Sequence, residues 1–364
     1  MSSKIAMALV FGGKSPEHEI SILSARNIYQ AINKDKYNVT LIGINQYGKW
    51  FLETEENLLD KNCVIGKNNI ALSIVFGDDN QQLIRLDNAT ALPLIEVAFP
   101  ITHGPNGEDG SIQGVFRHMN LAFVGPDVMS SAVTMDKDFT KRILQQAGIQ
   151  VSDGEVIYKY EQDKINYTTI SQKYGNIVYI KPCNMGSSIG VSKATDEASF
   201  NYAIQEGFKF DNKLLVEKAI VGREIECAVL GNEHVEASTV GEIVMQQGFY
   251  DFESKYQSED AARLDIPAKD LTTAQIEKIR QTAIAAYKAL DIEGLSRVDV
   301  FLTDDDKVIV NEPNTLPGFT NISMYPKLWE ACGLSYADLI DKLILLAIQR
   351  HKRYIALQKV RIAD

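Results

Sequence analysis

At 364 residues the chain is longer than one hydrophobic core usually serves, so two or three domains are expected. Its 45% hydrophobic and 23% charged residues are those of a folded globular protein and exclude a disordered or membrane-spanning class. A formal net charge of -11 opposes broad binding to nucleic acid, where Lys and Arg must displace counterions, yet leaves room for a local basic pocket around a nucleotide.

The run KIAMALVF at 4 to 11 reads as a strand ended by Gly12 and Gly13, too short and without the cleavage site of a signal peptide. Helical spacing follows at 20 to 32, and YNVTLIGI at 37 to 44, IEVAFPI at 95 to 101 and LAFVG at 121 to 125 read as further strands. Together they predict a parallel α/β domain over 1 to 125. The stretch from 52 to 90 is polar and irregular and reads as an insertion.

A second unit, 126 to 217, holds helix MDKDFTKRILQQAG, strand VYIKP at 178 to 182, a glycine-containing loop and strand KLLVEKAI at 213 to 220. The remainder, 218 to 364, holds strand REIECAVLG, a polar loop from 246 to 266, a long helix, the strands SRVDVFL and KVIVNEP, and a helix from Tyr336. The basic end of that helix, RHKRYIALQKVR, reads as a solvated face rather than a membrane anchor. Cys63, Cys183, Cys227 and Cys332 form no C-x-x-C pair, which fits reduced thiols in a cytoplasm.

The pair around 297 to 314 carries the strongest chemical signal. If Asp305 and Asp306 are the two central residues of a hairpin turn, Asp299 lies opposite Glu312 and Arg297 opposite Asn314, all on one face. Two carboxylates, a carboxamide and a guanidinium suit Mg²⁺ bridging phosphates; the alternative is a surface hairpin whose charges pair in solvent.

In YIKPCNMGSSIGV at 179 to 191, Lys181 leaves a strand and Gly186, Ser187, Ser188 and Gly190 offer N–H groups and hydroxyls to phosphate. Gly13-Lys14-Ser15 is no P-loop, because Ala8 stands where the first glycine is needed, and GGKSPE lacks the dinucleotide spacing. Glu17, beyond a strand end, can hold an ammonium or merely favour the helix N-terminus. His103, near the tip of HGPNGEDGSIQG, can orient a substrate or exchange a proton.

FGGKSPEHEIS, HGPNGEDGSIQG, MDK, IKPCNMGSSIGV, LLVEKAIVGREIE, FYDFESKY, SRVDVF and NEPNTLPGFTNISM follow in the order seen in D-alanine–D-alanine ligases of the ATP-grasp superfamily. The resemblance spans residues 4 to about 345. It implies three α/β domains, the first Rossmann-like, with ATP between the second and third. It also implies that ATP phosphorylates one D-alanine, whose acyl phosphate the amine of a second attacks to give a cell-wall precursor dipeptide.

By the same resemblance, Lys137 and Lys181 contact ATP phosphates with Ser187, Ser188 and Lys255, Glu217 and the Lys218 backbone meet adenine, and Glu224 binds ribose. Asp299, Glu312 and Asn314 match the ligands of two Mg²⁺ ions, with Mn²⁺ an alternative. Arg297 and the Gly318 N–H match oxyanion and phosphoryl donors. Glu17 matches the holder of the first D-alanine's ammonium, and His103 a nearby contact. Ser323 and Met324 receive the second carboxylate, Met324 standing where leucine is more usual.

Ser187 and Tyr256 match latches that tie the flap and the long loop to Glu17. The resemblance also implies a homodimer. A D-alanine–D-lactate ligase shares almost every motif and is set apart by Lys255-Tyr256. A non-catalytic nucleotide-binding module predicts a damaged metal site, whereas every polar residue of this one is present.

Overall fold

The computed structural model describes residues 4–77, 81–245 and 262–357. Three sheets organise the chain. The first has seven strands in the order β5-β4-β3-β2-β1-β6-β7. Its centre is β1 (Ile5–Gly12), with β2 (Tyr37–Ile44) and β6 (Val97–Pro100) parallel on either side and β7 (Ala122–Phe123) parallel to β6. Helix α1 (His18–Ala31) turns Ile22, Ala25, Ile28 and Tyr29 inward, the three-to-four-residue spacing seen in the sequence.

The stretch read as an irregular insertion contributes strands to the first sheet. Strands β3 (Trp50–Leu52), β4 (Ile70–Ile74) and β5 (Leu83–Arg85) add antiparallel to β2, with the short helix α2 (Glu55–Leu59) between β3 and β4. The domain is therefore mixed rather than parallel. Short strands with a polar solvent side bury few side chains, so no period-2 pattern marked them.

The second sheet, order β10-β9-β11-β8, is antiparallel throughout and consists of β8 (Gly154–Tyr158), β9 (Val178–Pro182), β10 (Ser192–Ala194) and β11 (Lys213–Lys218). Helices α6 (Tyr167–Tyr174) and α7 (Glu197–Gly207) cover it, and Ile170, Ile180, Phe200 and Val216 belong to a core of its own. The third sheet, order β14-β13-β12-β15-β16, contains β12 (Arg223–Gly231), β13 (Glu236–Met245), β14 (Ala262–Asp265), β15 (Gly294–Leu302) and β16 (Val308–Asn314). Helix α8 (Thr273–Ala289), opened by a Thr272–Gln275 capping box, packs on it.

Helix α3 (Ser111–His118) joins β6 to β7 within the first sheet, and α4 (Val128–Met135) and α5 (Lys137–Gln146) lead from it to the second. Two more, α9 (Met324–Ala331) and α10 (Tyr336–Ala356), join the ends of the chain, because Met7, Leu9 and Phe99 share one apolar cluster with Phe319, Tyr325, Ile340 and Ala347. The basic end of α10 is not simply a solvated face. Arg350 is buried and donates to the carbonyls of Phe123, at 2.8 Å, and Gly125, anchoring the helix to the rim of the first sheet. Among the described residues no helix is long and apolar enough to cross a membrane, and no three His, Cys, Asp or Glu side chains gather as a metal group. All four cysteines are free.

Candidate active site

Loops and strand ends of all three sheets meet around a cleft of about 540 Å³. The β15–β16 hairpin forms one wall. Arg297 stands opposite Asn314 and Asp299 opposite Glu312, the expected pairing, but for a different reason. The turn has three residues, closed by Thr303 N–H donating to the Lys307 carbonyl at 3.0 Å, with Asp306 at φ 58. A bulge at Asn311 then absorbs the odd residue, since Asp299 pairs with Glu312 and Val300 with Val310. Two one-residue departures cancel.

The bulge carries its own consequence. Asn311, which sequence reasoning passed over, lines the cleft and accepts a hydrogen bond from the Lys181 ammonium at 3.2 Å. Arg297 grips Asp299 with two bonds of 2.7 Å and approaches Glu226 at 3.0 Å. Burial opposes its charge, but Asp299 and Glu226 hold its guanidinium well above the usual range. Asn314 donates to Asp299 at 2.9 Å, so its carbonyl oxygen faces the other way. Asp299, Glu312 and Asn314 are thus a cluster of hard oxygen donors on one wall, a set that suits a divalent cation among phosphates.

The opposite wall comes from the second sheet and α5. Asp136 caps α5 by accepting from the N–H groups of Asp138 and Phe139 at 3.0 and 3.2 Å, which makes Lys137 its first residue. The Lys137 ammonium reaches the Met185 carbonyl at 2.6 Å and lies 3.5 Å from Glu312. One turn later on the same face, Lys141 sits 2.9 Å from Glu217, whose other oxygen pairs with Lys181. Burial alone would raise the Glu217 carboxyl, but the two lysines hold it down to about 2. Lys141 was missed, although its i+4 spacing from Lys137 was the available signal.

Glu224 and Lys218 also line the cleft. The Lys218 N–H donates to the Asp153 carbonyl at 2.8 Å, and its own carbonyl accepts from Ser152 at 2.8 Å. Only a remaining lone pair of that carbonyl is open to a ligand. The 183–191 loop between β9 and β10 overhangs the cleft with Ser187 and Ser188 in succession at φ 51 and 59, strain of the kind that collects at ligand clamps.

Ser187 donates a short hydrogen bond to Glu17, so the flap meets the first domain. Glu17 is buried at the start of α1. Gly104 is required beside it: at φ +69 it lets the chain pass where a Cβ would come within 2.7 Å of both Glu17 Oε2 and Ser15 Oγ. His103 is buried and held below its ordinary value by burial. Glu108, unassigned from the sequence, accepts from Gly104 N–H at 2.8 Å and Leu316 N–H at 3.1 Å. Burial and the charge of Glu17 push its carboxyl up to about 8. Its place five residues after His103 in one loop motif was the only hint.

Gly318, Ser323 and Met324 close the third side. Met324 opens α9, where helix N–H groups lack internal partners, and the Ser323 side chain makes no cap bond, instead accepting from Thr320 N–H at 2.9 Å. That N-terminus is suited to a carboxylate. Lys255 and Tyr256 lie outside the described residues.

Two family models cover the chain, the D-ala D-ala ligase N-terminus over residues 6–126 and the D-ala D-ala ligase C-terminus over residues 143–345. A D-alanine–D-alanine ligase of Shouchella clausii is 52% identical over 96% of both chains. One of Proteus mirabilis is 47% identical over 98% of both. The solved D-alanine-D-alanine ligase of Coxiella burnetii superposes with a TM-score of 0.87 at 38% identity, covering 98% of this chain and 97% of that one. A D-Ala:D-Ser ligase of Enterococcus faecalis superposes at 0.85 with 32% identity, covering 95% of this chain and 100% of its own. With the cleft, its order of motifs and nearly full-length likeness in agreement, the chain belongs to the D-alanine–D-alanine ligase family.

Proposed function

We propose that this chain joins two D-alanines into D-alanyl-D-alanine, spending ATP and releasing ADP and phosphate, as a step in supplying peptidoglycan precursors. The observation that carries the reading is the meeting, in one cleft, of Lys137 and Lys181 with the carboxylate hairpin and with Glu17. Full-length relatives bearing the dipeptide ligase name support it over D-lactate or D-serine as second substrate. The intact polar set at 297, 299, 312 and 314 argues against a module without chemistry.

In this reading Glu217 accepts from the adenine amine, the Lys218 carbonyl lies at the base edge, and Glu224 meets the ribose hydroxyls. Lys137, Lys181, Ser187, Ser188 and Lys255 take the phosphates. Asp299, Glu312 and Asn314 would hold two Mg²⁺ ions, or Mn²⁺, whose charge offsets that of the transferring phosphoryl group. Glu17 and His103 orient the first D-alanine so that a carboxylate oxygen attacks the γ-phosphorus and ADP leaves.

The second D-alanine, its carboxylate on the Ser323–Met324 helix start, has lost an ammonium proton and attacks the acyl carbon. Arg297 and the Gly318 N–H stabilise the oxyanion, phosphate departs and the amide forms. Ser187 and Tyr256 latch the flap and loop against Glu17, excluding water that would hydrolyse the acyl phosphate. Positioning and charge neutralisation suffice, without a covalent enzyme intermediate. The three stretches 1–125, 126–217 and 218–364 serve as substrate, nucleotide and metal domains of a cytoplasmic homodimer.

The test is phosphate release from ATP and Mg²⁺ with D-alanine, L-alanine, or D-alanine mixed with D-lactate or D-serine, the products identified by mass. Dipeptide from D-alanine alone is expected. A mixed product in preference to it would reassign the second substrate, and no turnover with any acid would sink the ligation reading.

A further inference from the structure

Residues 316 to 319 cross the cleft as irregular backbone, and their polar groups are taken largely by side chains of the first domain. The Leu316 carbonyl accepts from His103 Nδ1 at 3.0 Å, and the Leu316 N–H donates to Glu108 at 3.1 Å. The Phe319 N–H donates to Ser24 Oγ at 3.2 Å. Its carbonyl accepts from Asn27 at 3.2 Å and from the Tyr336 hydroxyl at 2.6 Å. Pro317 has no N–H to hold. Gly318 therefore lies between two residues whose backbone directions are fixed from outside.

The bonds also close on themselves. Burial keeps His103 neutral, and with Nδ1 donating to Leu316 its Nε2 is an acceptor, 3.5 Å from the Ser24 hydroxyl. Phe319 N–H to Ser24, Ser24 to His103, and His103 to the Leu316 carbonyl form a ring that begins and ends on the same short loop. Ser24 is fully buried, seven residues after Glu17 and on the same face of α1. The helix that starts at Glu17 thus also grips the loop containing Gly318. Packing alone does not require this, because Phe319 already meets Phe99, Tyr325 and Tyr336 at 5.8 to 6.0 Å between ring centres. Buried polar networks of this kind fix one geometry at the risk of unpaired groups.

We infer that Ser24, Asn27, His103 and Glu108 are positioning residues that set the direction of the Gly318 N–H relative to a substrate held at Glu17, so that the first domain aligns the oxyanion donor of the third. The inference rests on the proposed role of Gly318 in ligation. It places His103 in the ring first and beside the substrate second.

Ser24→Ala removes one hydroxyl without changing the shape of the core, and Glu108→Gln replaces an acceptor oxygen by an amide NH₂ that cannot accept in any protonation state. Either change should lower kcat about ten- to a hundredfold by misplacing a donor. Affinity for a phosphinate dipeptide analogue, a stable mimic of the tetrahedral intermediate, should fall by the same factor, while the Kd for ADP stays within about twofold. If one variant fails to fold, the other reads the same point. Folded variants with unchanged kcat and analogue affinity would overturn the inference, as would a loss of ADP affinity in step with kcat. Wild-type protein that forms no dipeptide would instead overturn the ligation reading itself.

Discussion

Replacing Lys141 by Met tests the buried charge cluster at the inner end of the cleft. Glu217 is buried between Lys141 and Lys181, and its carboxyl falls from the ordinary 4.5 to about 2. A tenfold change in proton affinity is worth about 1.36 kcal/mol, so the cluster contributes about 3 kcal/mol at neutral pH. Because the folded value is depressed, that stability is complete above 4.5 and disappears as pH falls towards about 2.

With two lysines sharing the task, losing Lys141 should cost about 2 kcal/mol, less than the 3–5 kcal/mol of a fully orphaned buried charge. Lys181 would then be the sole counterion of Glu217 and less available to phosphate, so the KM for ATP should rise several-fold. The assay is acid and thermal unfolding by circular dichroism, with ATP titration of initial rates. The acid transition should move to higher pH in Lys141→Met. Adding Glu217→Gln should recover part of the stability, since it removes the uncompensated carboxylate. An unchanged acid transition together with an unchanged KM would refute the reasoning.

Three further outcomes are expected. Arg350→Met should destabilise the protein by about 2–3 kcal/mol, because it leaves two buried carbonyls of Phe123 and Gly125 without their donor; a melting temperature equal to wild type would contradict the anchoring role. Glu108 carries a folded value of about 8, above its ordinary one, so the folded state binds the extra proton and stability should fall as pH rises from 4.5 towards 8. Glu108→Gln should remove that slope, and a parallel pH profile in the two proteins would show the burial of this carboxyl to be inconsequential. Glu312→Gln should lower turnover by about a thousandfold or more if the carboxylate bridges metal and phosphate, with Mg²⁺ dependence followed by initial rates; near-normal turnover at the same Mg²⁺ would remove it from the metal set.

The sequence exposed the cleft better than the frame that supports it. The residues proposed to touch phosphate or metal sit mostly on strands and in glycine-containing loops, where type and spacing are legible in a linear reading. The Asp299–Glu312 pairing was legible despite a misplaced turn, because the bulge at Asn311 restored the register. Short strands such as β3 and β5 were not, since three residues give no periodicity. Glu108, Lys141 and Arg350 were passed over for a common reason. Each is a titratable side chain whose head group is drawn out of solvent, and whether such a group is solvated or enclosed depends on elements far away in the chain: Leu316 for Glu108, Glu217 for Lys141 and Phe123 for Arg350.

The cluster shared by Met7 and Ala347 also orders events during synthesis. Strand β1 and its cover helix α1 leave the ribosome first, yet the part of that sheet face over β6 and β7 has no cover until α10, some 330 residues after β1, has emerged. The second sheet needs no such wait, since its core draws on residues 157 to 216 alone. Domains usually fold as they emerge, N-terminal first; here the middle lobe is the first that can finish, and the N-terminal sheet spends most of translation with apolar surface exposed. A chain truncated before Tyr336 would keep that surface bare, binding hydrophobic dyes and chaperones while its central lobe resists protease.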